Sequence, residues 1–381
     1  MGWFIADLKT GNVLIRDLQP ISGSVNPTLN KAGAIQAVVQ LPLQASFGST
    51  TVNVDPSVIV PARTVLGFEA NNVILDAGPI WETSFDFDTW RLTLTGASLR
   101  SIFDHRYVLP ANVTTQLGSD SAFTNLSYNT IAKRLVQQAL SWTNGTLPIT
   151  FESDLAGTYT QTYPGADLNT VNDALIKLAG LINGPDIDFR PTFNASRTAI
   201  SWAMVTGSPE LKQPTADWVW DMSIPTSPVR AATKKQDGSV LVTNEWDTGG
   251  TPQGAAASIT SAASSTVLTS AGFPMLEASN DYSSIITQAV LDGHAQDSVA
   301  TGSKMQEQFE FSVSAYPTNT LPNGTTIHTA PWVGEYDPGD YGVLVLPDNP
   351  WTGMQRIRVR ILSYSFDGGD TVKFTTAPLR T

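Results

Sequence analysis

The chain has 381 residues, of which 41% are hydrophobic and only 15% charged, and its 34 acidic and 22 basic side chains give a formal net charge of −12. One hydrophobic core stops growing at roughly 250–300 residues, so two or more domains are expected. The absence of cysteine excludes disulfides and thiolate metal sites. With no basic cluster beyond Lys234-Lys235, a stable or sequence-specific grip on nucleic acid is disfavoured.

The opening Met1-Gly2-Trp3-Phe4-Ile5-Ala6-Asp7 reaches an acid too soon for a secretory leader. No apolar run approaches the ~18 residues that span a bilayer. The expectation is a soluble chain made in the cytoplasm, without stable membrane binding. Soluble domains average about 25% charged residues. The lower value here points to surfaces covered by partners, or to a β protein whose surface is polar but uncharged.

Residues 1–110 read as β. Trp3–Leu8 and Val13–Arg16 flank Thr10-Gly11-Asn12, a hairpin signal. A strand follows at Ala34–Leu43, and Val65–Ala70 and Val73–Ala77 flank Asn71-Asn72, a second tight turn. Gly78–Glu82 and Arg91–Gly96 complete a run of short strands and turns that predicts a closed or nearly closed barrel.

Residues 97–205 change character. A short helix is expected over Ala97–Asp104. Apolar residues at helical spacing then predict one helix over Tyr128–Trp142 and another over Asp167–Ile182. Asp167 is the expected N-cap of the second helix, and Gly184-Pro185 its stop. Strands follow at Ile187–Phe193 and Ala199–Val205.

The pattern then returns to β. Trp218–Met222 is one strand, and Val229–Thr233 and Ser239–Trp246 are expected to form a hairpin across Lys234–Gly238. Gly249–Ser270 is rich in Gly, Ala, Ser and Thr and reads as a flexible excursion. A helix is expected over Asp281–His294 with Ile285, Ile286, Ala289 and Val290 on one face, continuing towards Met305. Gln308–Ser314, Gly342–Leu346, Met354–Tyr364 and Thr371–Thr375 are strands, the last two joined by Asp367-Gly368-Gly369-Asp370.

Signals of chemistry are sparse. His105, His294 and His328 are too far apart in sequence to pair on one helical turn, and no Gly-x-Ser-x-Gly elbow is present. Alternation would put Asp86 and Asp88 on one strand face, a spacing of ~6.6 Å that a glycosidase pair could use. The simpler reading is a half-buried strand with its polar face in water. Asp367–Asp370 supplies too few oxygens for calcium, which takes six to eight, and reads as a turn. Gly249-Gly250 and Gly254 lack the following Lys-Ser/Thr of a phosphate cradle. Alternating Arg356, Arg358 and Arg360 share a strand face, read as solvated or intersubunit. Among ten tryptophans, Trp332 and Trp351 follow prolines in loops and are the candidate interface residues. No catalytic, cofactor or metal residue is assigned.

The ordered set of elements resembles the tail-hub (baseplate hub) proteins of long-tailed bacteriophages, with closest likeness to minor tail proteins of phages of actinobacteria. The likeness is carried by Leu92–Leu99 with Phe103 and Arg106–Pro110, by the 167–182 helix followed by Ile187-Asp188-Phe189-Arg190-Pro191, by Val242-Thr243-Asn244, and by Asp337-Pro338-Gly339-Asp340 with Gly342–Leu346 and Arg356–Ser363. The resemblance implies a mainly β fold with an α+β insertion, comprising two hub-type β-barrel domains and a small α/β domain. The implied division is 1–110 for the first barrel, 111–210 for the α/β domain, 211–255 with 306–381 for the second barrel, and 256–305 for an insertion with a flexible loop and helix.

It further implies a structural virion protein at the tail tip, without enzymatic activity or cofactor. As a homotrimer it would present six similar barrels and join the sixfold tail tube to the threefold tip around the DNA channel used in ejection. The implied partners are a distal tail or tube protein above, a tape measure protein within, and a central fibre or other tip proteins below. An acidic lumen would repel DNA. Where such proteins have a peptidoglycan-cleaving domain it is usually appended, and none is expected here because Thr381 closely follows the last strand. A carbohydrate-binding receptor protein, a glycoside hydrolase using Asp86 and Asp88, and a sixfold distal tail protein remain as rivals.

Overall fold

The computed structural model describes residues 2–47, 50–111, 113–181, 183–283, 285–320 and 325–378. The chain divides into two compact units, one formed by the residues up to Ala232 together with those from Glu310 onward, the other by Thr233–Phe309. It is mainly β.

In the first unit, strand Gly2–Asp7 pairs antiparallel with both Val13–Leu18 and Thr64–Ala70. Asn71 and Asn72 both take left-handed φ, 50° and 60°, as a two-residue turn matched to strand twist requires. The strand that follows is one element of 14 residues, Val73–Asp86. Its first half pairs with Thr64–Ala70 and its second half with Arg91–Ala97, with a register shift between Ile80 and Glu82. Gly78 lies at this crossing, where an added Cβ would sit 1.9 Å from the Ala97 carbonyl oxygen. The main sheet of this unit runs from Thr371–Pro378 on one side to Thr50–Asn53 at the far end. It stays open, and no sheet among the described residues closes into a barrel. Turn spacing alone predicts a closed or nearly closed barrel, but one long strand shared between two groups of strands uses those turns without a final pairing.

The helical segment packs directly on these strands. Helices Tyr128–Leu140 and Val171–Ala179 touch each other and share one core with a sheet ordered Ile149–Phe151, Ile200–Thr206, Ile187–Phe193. One buried cluster unites Phe4, Val65 and Ala77 with Ile131, Leu175 and Trp202. The buried Trp202 indole donates to the Ala77 carbonyl at 3.0 Å. The second helix starts later than expected. Its N-cap is Thr170, whose hydroxyl accepts from the Asp173 amide, while Asp167 belongs to a preceding 3₁₀ turn, Gly165–Asp167. Leu168 at φ 49° separates turn from helix. Ile182, expected at the end of the apolar stripe, lies outside the described residues, as does Thr381.

The later strands of this unit bury an aromatic cluster. Trp218–Asp221 runs parallel to Tyr341–Leu346, which pairs antiparallel with Gln355–Phe366 and, through it, with Thr371–Pro378. Trp220 lies 5.4 Å from Phe311 and 5.1 Å from Phe374, ring centre to ring centre. Its ring covers Gly342, where a Cβ would come within 2.2 Å of it.

The second unit corrects three expectations. Ser239–Trp246 is not the partner of Val229–Asp237; strand Asn244–Gly249 instead pairs antiparallel with Thr260–Ser264 and parallel with Glu277–Tyr282. The small-residue stretch 249–270 is therefore not wholly irregular. It contributes strand Thr260–Ser264 and a helical turn, Val267–Ser270, because Ala and Ser suit a strand beneath a helix. The helix begins at Gln288 and runs to Gly302, since Asp281 and Tyr282 are used by the third strand. Its buried face is Leu291, Ala295, Val299 and Gly302, whereas Ile286 and Val290 are exposed. No helix among the described residues is long and apolar enough to cross a membrane.

Candidate interaction site

The two loop tryptophans differ sharply. Trp332 is half-buried, stacks on His328 at 3.8 Å, meets Tyr316 edge-on, and donates its indole N–H to the Pro317 carbonyl. Trp351 is 67% exposed on a turn that Asn349 holds together. The Asn349 Oδ1 accepts from the amides of Trp351 and Thr352, and its Nδ2 donates to the Gly353 carbonyl at 2.8 Å. Met354, 62% exposed, lies three residues on. A rigid turn that presents a large apolar side chain is the form of an interface anchor.

A second aromatic surface escaped the sequence reading. Strand Val73–Asp86 ends at Asp86, so Asp86 and Asp88 do not share a strand face. Asp86 instead caps the turn, accepting from the Asp88 amide and from the Thr89 hydroxyl and amide. These bonds, the Thr89 hydroxyl foremost, hold its carboxyl below the usual range. That suits an ionised turn cap and not a general acid, whose pKa has to be raised. The turn leaves Phe87 81% and Trp90 61% exposed. Phe85 joins them, 4.8 Å from Phe87 and 6.4 Å from Trp90. Trp90 takes φ 56°, an uncommon conformation for a bulky residue. The turn signature Asp-Phe-Asp-Thr was the available sign, because Asp at such positions bonds to its own backbone a few residues on.

The arginine row is largely consumed within the chain. Arg358 clamps Asp217 with two hydrogen bonds and lies 4.1 Å over the Tyr341 ring. Arg360 pairs with Asp186 and also donates to the carbonyls of Gly339 and Leu211. Arg356 is exposed. The three histidines each lie against an aromatic ring, His105 on Trp81, His294 on Tyr282 and His328 on Trp332. Gly369 donates to Asp367 in the 367–370 turn.

The first unit also holds a cavity of about 160 Å³, lined in part by Asp76, Ser98, Arg100, Asp188, Arg190 and Asp337. Arg190 bridges Asp188 and Asp337 at 3.4 and 3.1 Å. Arg100 is buried, bonded to Asn172 and to the Ile187 carbonyl, and burial lowers its pKa to about 10. Carboxylates and guanidiniums mix around the space, so it selects neither ion sign. No group of three or more His, Cys, Asp or Glu that could hold a metal occurs among the described residues.

No family model matches the chain, and no curated protein matches it. Among solved structures, it is similar to the 43 kDa tail protein of prophage MuSo2 from Shewanella oneidensis. That match has 10% identity and a TM-score of 0.57, covering 100% of this chain and 98% of that one. It is also similar to a tail protein from Neisseria meningitidis, with 10% identity, a TM-score of 0.50, and coverage of 99% and 97%. The arrangement of strands and inserted helices is therefore a fold found, over nearly its full length, in a prophage tail protein and in a second tail protein.

Proposed function

We propose that this chain is a structural subunit of a bacteriophage tail, located in the virion baseplate at the tail tip and acting by assembly, not catalysis. The observation that carries the reading is the fold match over essentially the whole chain to two tail proteins. Two further observations support it. Asp86, the strongest catalytic candidate in the sequence, serves as a turn cap, and large aromatic side chains stand exposed on pinned turns.

In its finer form the proposal is a homotrimeric hub whose copies each contribute two barrel-like β regions. Six similar regions would meet the sixfold tube above, and three copies would meet the tip below. Trp351 and Trp332 would lie at contacts with neighbours, and the acidic balance would keep DNA from adhering to the lumen. Native mass measurement of the assembled particle tests this. Three copies per ring support the hub, six point to a distal tail ring, and a persistent monomer in the presence of its tail neighbours overturns the assembly reading.

A further inference from the structure

The second unit contains a pair of carboxyl groups that the functional reading does not use. Glu245 and Asp247 project from the same face of strand Asn244–Gly249, beneath helix Gln288–Gly302, and are 0% and 1% exposed. Glu245 accepts from Asn280 Nδ2 and from the Ser298 hydroxyl, both at 2.8 Å. Asp247 Oδ1 accepts from the Asn280 amide at 3.2 Å. The other oxygen, Asp247 Oδ2, is buried with no donor, yet the two carboxyls are within hydrogen-bonding reach of each other.

Two buried carboxylates cannot both stay ionised at such range without a counter-charge. Between Lys235 and Lys304 the chain has no lysine or arginine. The elements packed around the pair supply none. Strand Thr260–Ser264 has no titratable group. Strand Glu277–Tyr282 brings Tyr282 and, bonded to Trp246 and Thr248, Glu277 and Asp281. The helix brings Asp292, which accepts from Ser261, together with Asp297 and His294, and His294 is stacked on Tyr282. The missing donor at Asp247 Oδ2 and the missing counter-ion have one common solution, a proton.

We propose that Glu245 and Asp247 share a single proton, and that this proton makes the second unit a pH-responsive module, tight while it is held and loosened when it leaves. Burial raises the Glu245 carboxyl above its ordinary range, and Asp247 beside it acts in the same direction. A group with a raised folded-state pKa takes up its proton more readily when folded. The stabilisation is therefore present at low pH and is lost as pH rises through the folded value. Both groups are enclosed, so the pair serves packing and not substrate chemistry. The inference does not depend on the tail-protein reading.

Hydrogen exchange on the full chain tests it, with protection corrected for intrinsic exchange and read over Gln288–Gly302 at pH 5.5 and pH 9. The wild type should lose protection severalfold as pH rises across this interval, because the folded pair gives up its proton there. Glu245→Gln, which offers an amide donor to Asp247, should keep equal protection at both pH values. Should that variant fail to fold, Asp247→Asn provides the same donor and must give the same flat profile. His294→Gln should retain the wild-type loss. The proposal is overturned by a flat wild-type profile, by a loss that persists in both pair variants, by a loss that vanishes in His294→Gln, or by millimolar calcium restoring wild-type protection at pH 9. The last result would make a metal ion the counter-charge.

Discussion

At the scale of single residues, burial decides which charges matter. Asp76 is 4% exposed, and burial pushes its pKa up to about 7 despite hydrogen bonds from the Ser98 hydroxyl and the Ala77 amide. Asp188 nearby acts in the same direction as burial. Since the folded value lies above the unfolded one, this residue favours the fold at low pH and costs stability as pH rises through about 7. Asp76→Asn should therefore flatten the pH dependence between about pH 4 and 8, most of it below the folded value near 7, and raise stability at pH 8 by roughly 2 kcal/mol. Denaturant melts at both pH values measure this; a variant less stable than wild type at pH 8 would show that the carboxylate's hydrogen bonds outweigh its desolvation. Nothing in the sequence around Leu75-Asp76-Ala77 announces this burial. An aspartate in an otherwise apolar strand looks like an exposed turn residue until the Ser98 hydroxyl is folded over it.

At the scale of elements, helix position follows from caps that periodicity alone does not resolve. The Val171–Ala179 stripe was legible because Val171, Leu175 and Leu178 recur at helical spacing, and all three are buried. Its start was not. Asp167 and Thr170 are both capping residues, and only the left-handed Leu168 between them makes Thr170 the cap. Thr170→Ala should cost about 1 kcal/mol in chemical denaturation, while Asp167→Ala should cost no more than about 0.5 kcal/mol. Equal losses would place the helix start at the earlier residue. The helix of the second unit shows the same limit. Ile285, Ile286, Ala289 and Val290 have helical spacing, yet the neighbouring strand claims the residues before it. Packing on a sheet of small residues then selects Leu291, Ala295 and Val299 as the inner face.

At the scale of the whole molecule, assembly through exposed aromatic anchors is expected under the proposed function. Phe87→Ala with Trp90→Ala on one turn, and Trp351→Ala on the other, should leave the melting of the isolated chain nearly unchanged, since these side chains are mostly outside its core. Either variant should weaken association with its neighbours on the order of 30-fold, the effect of losing an interface hot spot of ~2 kcal/mol. Sedimentation or native mass titration reads the association. A variant that assembles like wild type would remove its turn from the interface.

Local pattern was enough to determine the mainly β character, most strand positions and the two helices of the α/β segment. Those features depend on side-chain periodicity and turn chemistry within a few residues. Strand partners and sheet closure were decided only by the tertiary structure. The same alternating strand Asn244–Gly249 could pair with a preceding or a following neighbour, and the long Val73–Asp86 strand could close one sheet or connect two groups of strands. Burial of Asp76, Glu245 and Asp247 depends on those pairings, because a carboxyl loses its water only when segments distant in sequence meet over it.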